Sequence, residues 1–437
     1  MKIQKFGGTS VGTPERMKHV SGLITREKGN IVVLSAMSGT TNSLVEIANY
    51  FKKGNPEAAN IVINQLRKKY MQHVDELYTT PEAKALIRDF LDNEFTYLHS
   101  FSSREFNETA ENAVVAQGEI LSTNMVTNYL REQGVKVFLF SALDFMRLSE
   151  NGEPDQSFIR EQLKTILDEH KSYDVYITQG FIARNSQGEI SNLQRGGSDY
   201  TACLIGAALK AEEIQIWTDI DGMHNNDPRV VDHTEAVRQL NFEEAAELAY
   251  FGAKILHPTC IQPARYAGVP VRLLNTMDPA AEGTIINNDF VPNVIKAIAA
   301  KDNITAIKIV SSRMLLASGF LKKVFDIFDA NKTSIDMITT SEVGVSLSVD
   351  NKRHLPTIVE ELKKYGTVVV EEDMVIICVV GDLRWGNVGY ESKIMEALHD
   401  VPVRMISFGG SDHNISILVR QEDKKHALQA LSDKLFA

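Results

Sequence analysis

The chain has 437 residues, 43% of them hydrophobic and 24% charged, with a formal net charge of −11. That length suits two or three globular domains, the composition excludes a disordered or collagen-like chain, and the acidic balance argues against nucleic acid as a partner. No apolar run is long enough to span a membrane, there is no basic and apolar leader, and Cys203, Cys260 and Cys378 lie far apart without a CxxC pair. These features point to a cytoplasmic protein with reduced, buried thiols.

Residues 3–6 read as a short strand, and a helix follows over 15–26. Between them lie Gly7, Gly8, Thr9, Ser10 and Gly12. Glycines let successive backbone N–H groups converge on one point, which suits an anion at a helix N-terminus. Lys5 stands just before them, so its ammonium can reach the same anion. The order is not that of a Walker A loop, where the lysine follows the glycines; an ordinary strand–helix turn would use the same residues. Residues 31–35 read as a second strand, running into Ala36-Met37-Ser38-Gly39-Thr40-Thr41-Asn42 and a helix from Ser43. Such strand–loop–helix units place ligand groups at strand C-termini. Residues 56–106 are mostly helical and read as a cover over the site.

A long helix is expected over 105–131, with Gly118 beside Glu119 inside it. Glycine costs about 1 kcal/mol in a helix and often marks a close approach, which argues against Glu119 being a solvated face residue. Strands at 135–140 and 175–181 flank a helix at 157–168. A second glycine-rich loop follows, Arg195-Gly196-Gly197-Ser198-Asp199. Ser198 and Asp199 are candidate N-caps of a helix reaching Leu209. Arg195 supplies a cation that matches a carboxylate bidentately. A strand at 214–217 leads into Thr218-Asp219-Ile220-Asp221-Gly222-Met223-His224-Asn225-Asn226-Asp227-Pro228-Arg229, whose composition predicts an exposed, structured loop. A helix over 242–253 and a strand over 269–274 complete the alternation, which implies an α/β/α sandwich over residues 1–290.

From about Val294 the chain repeats itself at a spacing of 70 residues: 307–310 matches 377–380, Gly319-Phe320 matches Gly389-Tyr390, and 345–347 matches 415–417. Each unit reads strand, glycine-led helix, strand, strand, helix. A further strand at 367–371 gives the first unit a ferredoxin-like βαββαβ pattern. The second unit reaches Ala437 without its last strand, and 294–300 is the segment expected to supply it. The two units, about 303–372 and 373–437 with 294–300, are then interleaved.

Five motifs in order resemble those of the aspartate kinases of the amino acid kinase family: Lys5 to Gly12, Gln117 to Ser122, Arg195 to Ala202, Trp217 to Arg229, and Phe251 to Pro258. The repeat resembles the paired ACT domains of that family. With no further dinucleotide-binding domain in the sequence, the likeness is to monofunctional members. The resemblance implies ATP-dependent phosphorylation of the L-aspartate side chain to 4-phospho-L-aspartate, opening the route to lysine, threonine and methionine. It implies that Lys5, Gly7, Gly8 and Ser10 meet the transferring phosphoryl region, with Lys5, Gly8 and Asp199 as the catalytic set. Thr41, Glu119, Arg195 and Ser198 would hold aspartate; Thr218, Asp219, Arg229 and Lys254 would hold the nucleotide. Many members have an aromatic residue where His224 stands and threonine where Asn225 stands, so the adenine contacts stay open. Mg²⁺ would arrive with ATP, with no dedicated metal cage. The nucleophile is a carboxylate already ionised at neutral pH, so positioning and charge neutralisation are needed rather than a general base.

The same likeness implies feedback by an amino acid bound between ACT domains of two subunits of a homodimer, or of a tetramer. Its residues would be Met314, Gly319, Phe320 and Leu321 at a strand-to-helix turn, with Ser334, Asp336, Thr340, Ser341 and Glu342 on a neighbouring strand. The match is nearest to lysine-sensitive members, with Ala317 standing where those relatives have serine. Two other readings stay open on the residues alone: a kinase of the same fold acting on acetylglutamate, glutamate or UMP, and a catalytically inactive amino-acid sensor.

Overall fold

The computed structural model describes residues 1–193, 196–253, 256–314 and 318–436, with Arg313 described by its backbone alone. The chain forms two compact units, Met1–Met223 with Leu256–Asn288, and His224–Ile255 with Asp289–Ala437. The sequence reading places 224–255 with residues 1–290; in the structure this segment packs into the second unit. Val231 joins an apolar cluster with Val375, Ile377 and Leu428, and the Asn226 side-chain amide donates to the Leu428 carbonyl at 3.2 Å. The loop expected to be exposed is in part buried, at Asn225 and Asn226.

In the first unit the strands run in the order Val137–Leu139, Val175–Gln179, Asn30–Leu34, Lys2–Phe6, Glu213–Thr218, Val271–Asn275, Thr284–Asn287. The first six are parallel and the last is antiparallel. Asn30–Leu34 and Val175–Gln179 are buried along their whole length, as strands covered by helices on both faces must be. The helices Pro14–Ile24, Thr40–Lys52, Pro56–Leu77, Pro81–Ser100 and Glu108–Glu132 contribute to one apolar core with Phe6, Val32 and Leu34. The unit is an α/β/α sandwich. The strand Thr284–Asn287 has no counterpart in the sequence reading, which ends the alternation at 274.

The second unit is built on six antiparallel strands in the order Met337–Thr340, Gly344–Val349, Ile295–Val310, Thr367–Gly381, Asn414–Arg420, Met405–Phe408. The two central strands each serve both repeats. Ile304–Val310 pairs with the 367–374 end of its neighbour, and Ile295–Lys301 pairs with Ile376–Gly381. Segment 295–301 therefore occupies the fourth-strand position of the second repeat. Each long strand is jointed by a residue of left-handed conformation, Asn303 (φ 61°) and Asp373 (φ 55°), which also stand 70 residues apart. Asn and Asp tolerate this conformation better than other side chains, and the register shifts there, as at a β-bulge. Each half buries its own core: Ile307, Phe320, Val324, Leu347 and Ile358 in one, and Ile377, Ile394, Ile417 and Leu428 in the other. Both repeats are ferredoxin-like, and they are interleaved.

Among the described residues no helix is long and apolar enough to cross a membrane. Cys203, Cys260 and Cys378 are all buried thiols.

Candidate active site

In the first unit the chain passes from strand Lys2–Phe6 to Asn30–Leu34 on one side and later returns to Glu213–Thr218 on the other. The strand order reverses at Lys2–Phe6, and crevices outside the C-terminal ends of such strands bind ligands in α/β sheets. A cavity of about 400 Å³ opens there. It is lined by Lys5 and Gly8, by Ser35–Gly39, Thr41 and Asn42 after the second strand, by Glu119 and Phe181, and by Gly196–Asp199.

Close backbone approach makes this convergence possible. A Cβ on Gly8 would stand 2.7 Å from the Ala36 carbonyl oxygen, and the Ser38 amide donates to the Gly8 carbonyl at 3.1 Å. A Cβ on Gly118 would stand 2.7 Å from the Ala36 Cβ and 3.3 Å from Leu44 Cδ1. The glycine in the long helix thus marks the contact that brings Glu119 against the second loop. A Gly118→Ala substitution should cost about 1–3 kcal/mol through overpacking and raise the substrate KM by displacing Glu119. Chemical denaturation with steady-state kinetics checks this, and an unchanged midpoint and KM would contradict it.

Two helices begin at the cavity, Thr40–Lys52 and Gly197–Leu209. Each starts at a left-handed glycine, Gly39 (φ 81°) and Gly196 (φ 70°), with no side-chain cap. The helices starting at Pro14, Pro56, Pro81, Glu108 and Gln156 are instead capped by the side chains of Thr13, Asn55, Thr80, Asn107 and Asp155. The expectation that Ser198 and Asp199 cap their helix is thus corrected: both lie inside its first turn, because Gly196 already sets the chain direction. First-turn amides left without caps carry partial positive charge, which attracts anions.

The Lys5 ammonium is 2.7 Å from an Asp199 carboxylate oxygen, with both side chains largely buried. Glu119 is 4% exposed. One of its oxygens accepts the Ala36 N–H at 3.2 Å; the other is buried without a hydrogen bond. Burial pushes its carboxyl up to about 7, and the Ala36 amide offsets only part of this. A buried carboxylate oxygen without a partner is costly unless a donor or a cation arrives, and Glu119 is one of the residues that line the cavity. Phe181 was not singled out in the sequence. It lines the cavity in a left-handed conformation (φ 68°), and its N–H is held by Thr201 Oγ1 at 3.0 Å. Met37 and Asn42, on the small-residue loop expected to bear ligand groups, and Ser35, expected at the end of the strand before it, are wall residues that the sequence does not mark individually.

Of the expected site residues, Lys5, Gly8, Thr41, Glu119, Ser198 and Asp199 line this one cavity. Gly7 adjoins it, with the position of a Cβ 3.5 Å from Lys5 Nζ. Ser10 is turned to Thr276, its hydroxyl 2.7 Å from the threonine hydroxyl. Thr218 donates to Asp219 at 3.1 Å, and Asp219 is exposed at the end of its strand. Arg229 belongs to the second unit, where it forks onto Asp227 at 2.9 and 2.8 Å with its side chain 80% exposed. Arg195 and Lys254 lie outside the described residues. Among the described residues no three His, Cys, Asp or Glu side chains cluster as a metal site.

The second unit carries its own buried charges. Lys301 Nζ is 2.7 Å from Asp336 and 2.9 Å from Asp350, and Tyr250 donates to Asp336 at 2.8 Å. The Asp336 side chain is 1% exposed. Burial pushes its carboxyl above the usual range against the pull of Lys301, so Asp336 is not an ordinary surface turn residue. Gly319 is the left-handed start (φ 81°) of helix Phe320–Ala330. Phe320 is buried and Leu321 exposed; Met314 closes a short 3-10 turn. Ser334, Thr340, Ser341 and Glu342 are exposed, and the Ser341 amide closes a turn on Gly344 at 2.8 Å. Residues 315–317 of the expected effector turn lie outside the described residues.

A switch-point cavity lined by two uncapped helix starts, by Lys5 and by a buried carboxyl with one oxygen still unpaired offers groups for an anion and for a cation side by side. Residues 1–275 match the amino acid kinase family and residues 377–435 an ACT domain. The chain is 33% identical to lysine-sensitive aspartokinase 3 of Escherichia coli K12, over 99% of each protein. Two solved structures of E. coli aspartokinase III are similar over the whole of both chains. The complex with aspartate and ADP has a TM-score of 0.84 at 32% identity, and the complex with lysine and aspartate 0.82 at 34%. The chain belongs to the aspartokinases of the amino acid kinase family, and it is a kinase.

Proposed function

We propose that the cavity binds L-aspartate and the terminal phosphate of ATP, and that the side-chain carboxylate of aspartate attacks the γ-phosphorus to give 4-phospho-L-aspartate and ADP. The observation that carries this is Glu119. It lines the cavity and holds one buried oxygen without a hydrogen bond, next to two uncapped helix starts and Lys5, which fits an α-ammonium between two carboxylates. Thr41 and Ser198, with Arg195, take the carboxylates; Lys5, Gly7, Gly8 and Ser10 serve the phosphoryl group, beside Asp199. Thr218, Asp219, Arg229 and Lys254 are the proposed nucleotide residues. The attacking carboxylate needs no base, and Lys5 with the loop amides stabilises charge as it spreads over the phosphoryl oxygens. Mg²⁺ travelling with ATP would neutralise charge between the phosphates and keep several of its waters. Calorimetric titration tests the assignment of Glu119. L-aspartate should bind at least about tenfold more tightly than succinate, which lacks the ammonium; equal affinities would contradict the reading.

Residues 1–290 are the proposed catalytic part and 294–437 the regulatory part, acting as a homodimer through the ACT domains or as a tetramer. Lysine is the proposed effector, held by Met314, Gly319, Phe320, Leu321, Ser334, Asp336, Thr340, Ser341 and Glu342. One fact supports it: the similar E. coli enzyme has been solved with lysine. Lysine should inhibit the enzyme, and Thr340→Met should relieve inhibition with basal activity kept. Asp336→Ala should do the same at lower stability, because it strips Lys301 of its buried carboxylate partner and leaves only the exposed Asp350. Activity measured against lysine concentration decides: a wild type unmoved by saturating lysine ends the assignment, and variants inhibited like wild type move the site elsewhere.

A further inference from the structure

The loop between strand Asn30–Leu34 and helix Thr40–Lys52 is gripped from two sides. Helix Glu108–Glu132 holds its first half: Glu119 accepts the Ala36 amide at 3.2 Å, and Ser122 Oγ donates to the Ser35 carbonyl at 2.7 Å. Helix Pro56–Leu77 holds its second half through two consecutive residues. Lys69 Nζ donates to the Ser38 carbonyl at 3.1 Å, and the Tyr70 hydroxyl lies 3.1 Å from Thr40 Oγ1 in a buried contact. Ser38 carries the carbonyl that immediately precedes left-handed Gly39, so its direction fixes the plane of the Ser38–Gly39 peptide. In a trans peptide the N–H points opposite to the C=O. A carbonyl held on Lys69 therefore turns the Gly39 amide away from helix Pro56–Leu77. The first turn of Thr40–Lys52 follows directly, with no side-chain cap and with Thr41 and Asn42 on the cavity wall. The Lys69 ammonium also stands 3.9 Å from where a Gly39 Cβ would be, so its charge adds to the positive potential of that helix start.

We infer that Lys69 is a positioning residue for the acceptor substrate: it locks the Ser38–Gly39 peptide so that the open helix start and Thr41 meet a carboxylate of the bound amino acid. Lys69 touches no substrate itself. The inference rests on the reading that this cavity takes aspartate, and it gives the helical cover over 56–77 a part in substrate recognition. An apolar residue at this position would leave the Ser38 carbonyl free to rotate, because left-handed Gly39 can leave its conformation at little steric cost.

The test is steady-state kinetics of the full-length Lys69→Ala and Lys69→Arg enzymes, with thermal melting of each. Lys69→Ala should raise the aspartate KM about tenfold, the scale of one lost charge-assisted hydrogen bond. The ATP KM should stay within about twofold, and the melting temperature near wild type. Lys69→Arg, which keeps a long cationic donor, should recover most of the aspartate KM. An aspartate KM within about twofold of wild type in Lys69→Ala overturns the inference. So does a parallel rise of both KM values with a fall in melting temperature, or an arginine variant as impaired as the alanine one; each would make Lys69 a mere structural prop. A wild type that does not phosphorylate aspartate removes the functional reading itself, an outcome distinct from an active wild type indifferent to Lys69.

Discussion

Replacing Lys5 with methionine should lower kcat by about 10²–10³ while leaving the aspartate KM near its wild-type value, the scale of losing one preorganised electrostatic group. Lys5 sits on the central strand beside the first glycine loop, and its ammonium lies 2.7 Å from Asp199 at the cavity. In the resting site that charge is largely spent on Asp199. Phosphoryl transfer spreads negative charge over the equatorial oxygens, and only then is an adjacent ammonium worth most. Removing it also leaves the Asp199 carboxylate uncompensated against an anionic nucleotide, so the ATP KM should rise. Asp199→Asn in the Lys5→Met background should recover part of the ATP KM and little of kcat, which separates the repulsion from the lost stabilisation. Turnover within about tenfold of wild type in Lys5→Met would contradict the role.

Glu119→Gln should act in opposite directions on binding and on stability. The loss of a buried charge partner for the substrate ammonium costs roughly 3 kcal/mol, so the aspartate KM should rise about a hundredfold. In the free protein the Glu119 carboxyl lies at about 7, against 4.5 for an ordinary glutamate, because burial disfavours its charged form. Between those values the unfolded chain has released the proton and the native protein retains it. Unfolded then binds fewer protons than native, so stability falls as pH rises through this window and levels off above it. Glutamine removes that slope. Without ligand, Glu119→Gln should gain stability relative to wild type on going from pH 5 to pH 8. Aspartate binding by wild type should strengthen over about pH 6–8 as Glu119 ionises, and the variant should lose this dependence. Denaturant midpoints at both pH values and the KM profile check the pair, and a wild type with the same pH slope as the variant would remove Glu119 as the group responsible.

The site was legible in the sequence where chemistry and local geometry coincide. Lys5 lies at the end of a strand and Gly8 follows it, Gly118 flags the close approach that buries Glu119, and the Gly196-Gly197 pair announces a helix start. The residue types of Ser198 and Asp199 favour a capping position; the left-handed glycine before them makes side-chain capping unnecessary and leaves both to the cavity wall. Phe181 gave no local signal, since its conformation is imposed by Thr201 and by packing on Gly197 from another element. The 70-residue repeat and its missing strand foretold the pairing of 295–301 with 376–381. The fusion of each strand pair into one long, jointed strand was not legible, because Asn303 and Asp373 look like ordinary turn residues until their φ angles are known. The packing of 224–255 with the second unit was likewise hidden, since it depends on contacts such as Val231 and Asn226 with residues about two hundred positions further along the chain.

The most direct test of the account is trapping of the acyl phosphate with hydroxylamine. Purified protein with ATP, Mg²⁺ and L-aspartate should yield aspartyl hydroxamate and ADP in equal amounts, and acetylglutamate, glutamate and UMP in place of aspartate should yield no comparable turnover. Hydroxamate from another acceptor but not from aspartate, or ADP without hydroxamate, would contradict it.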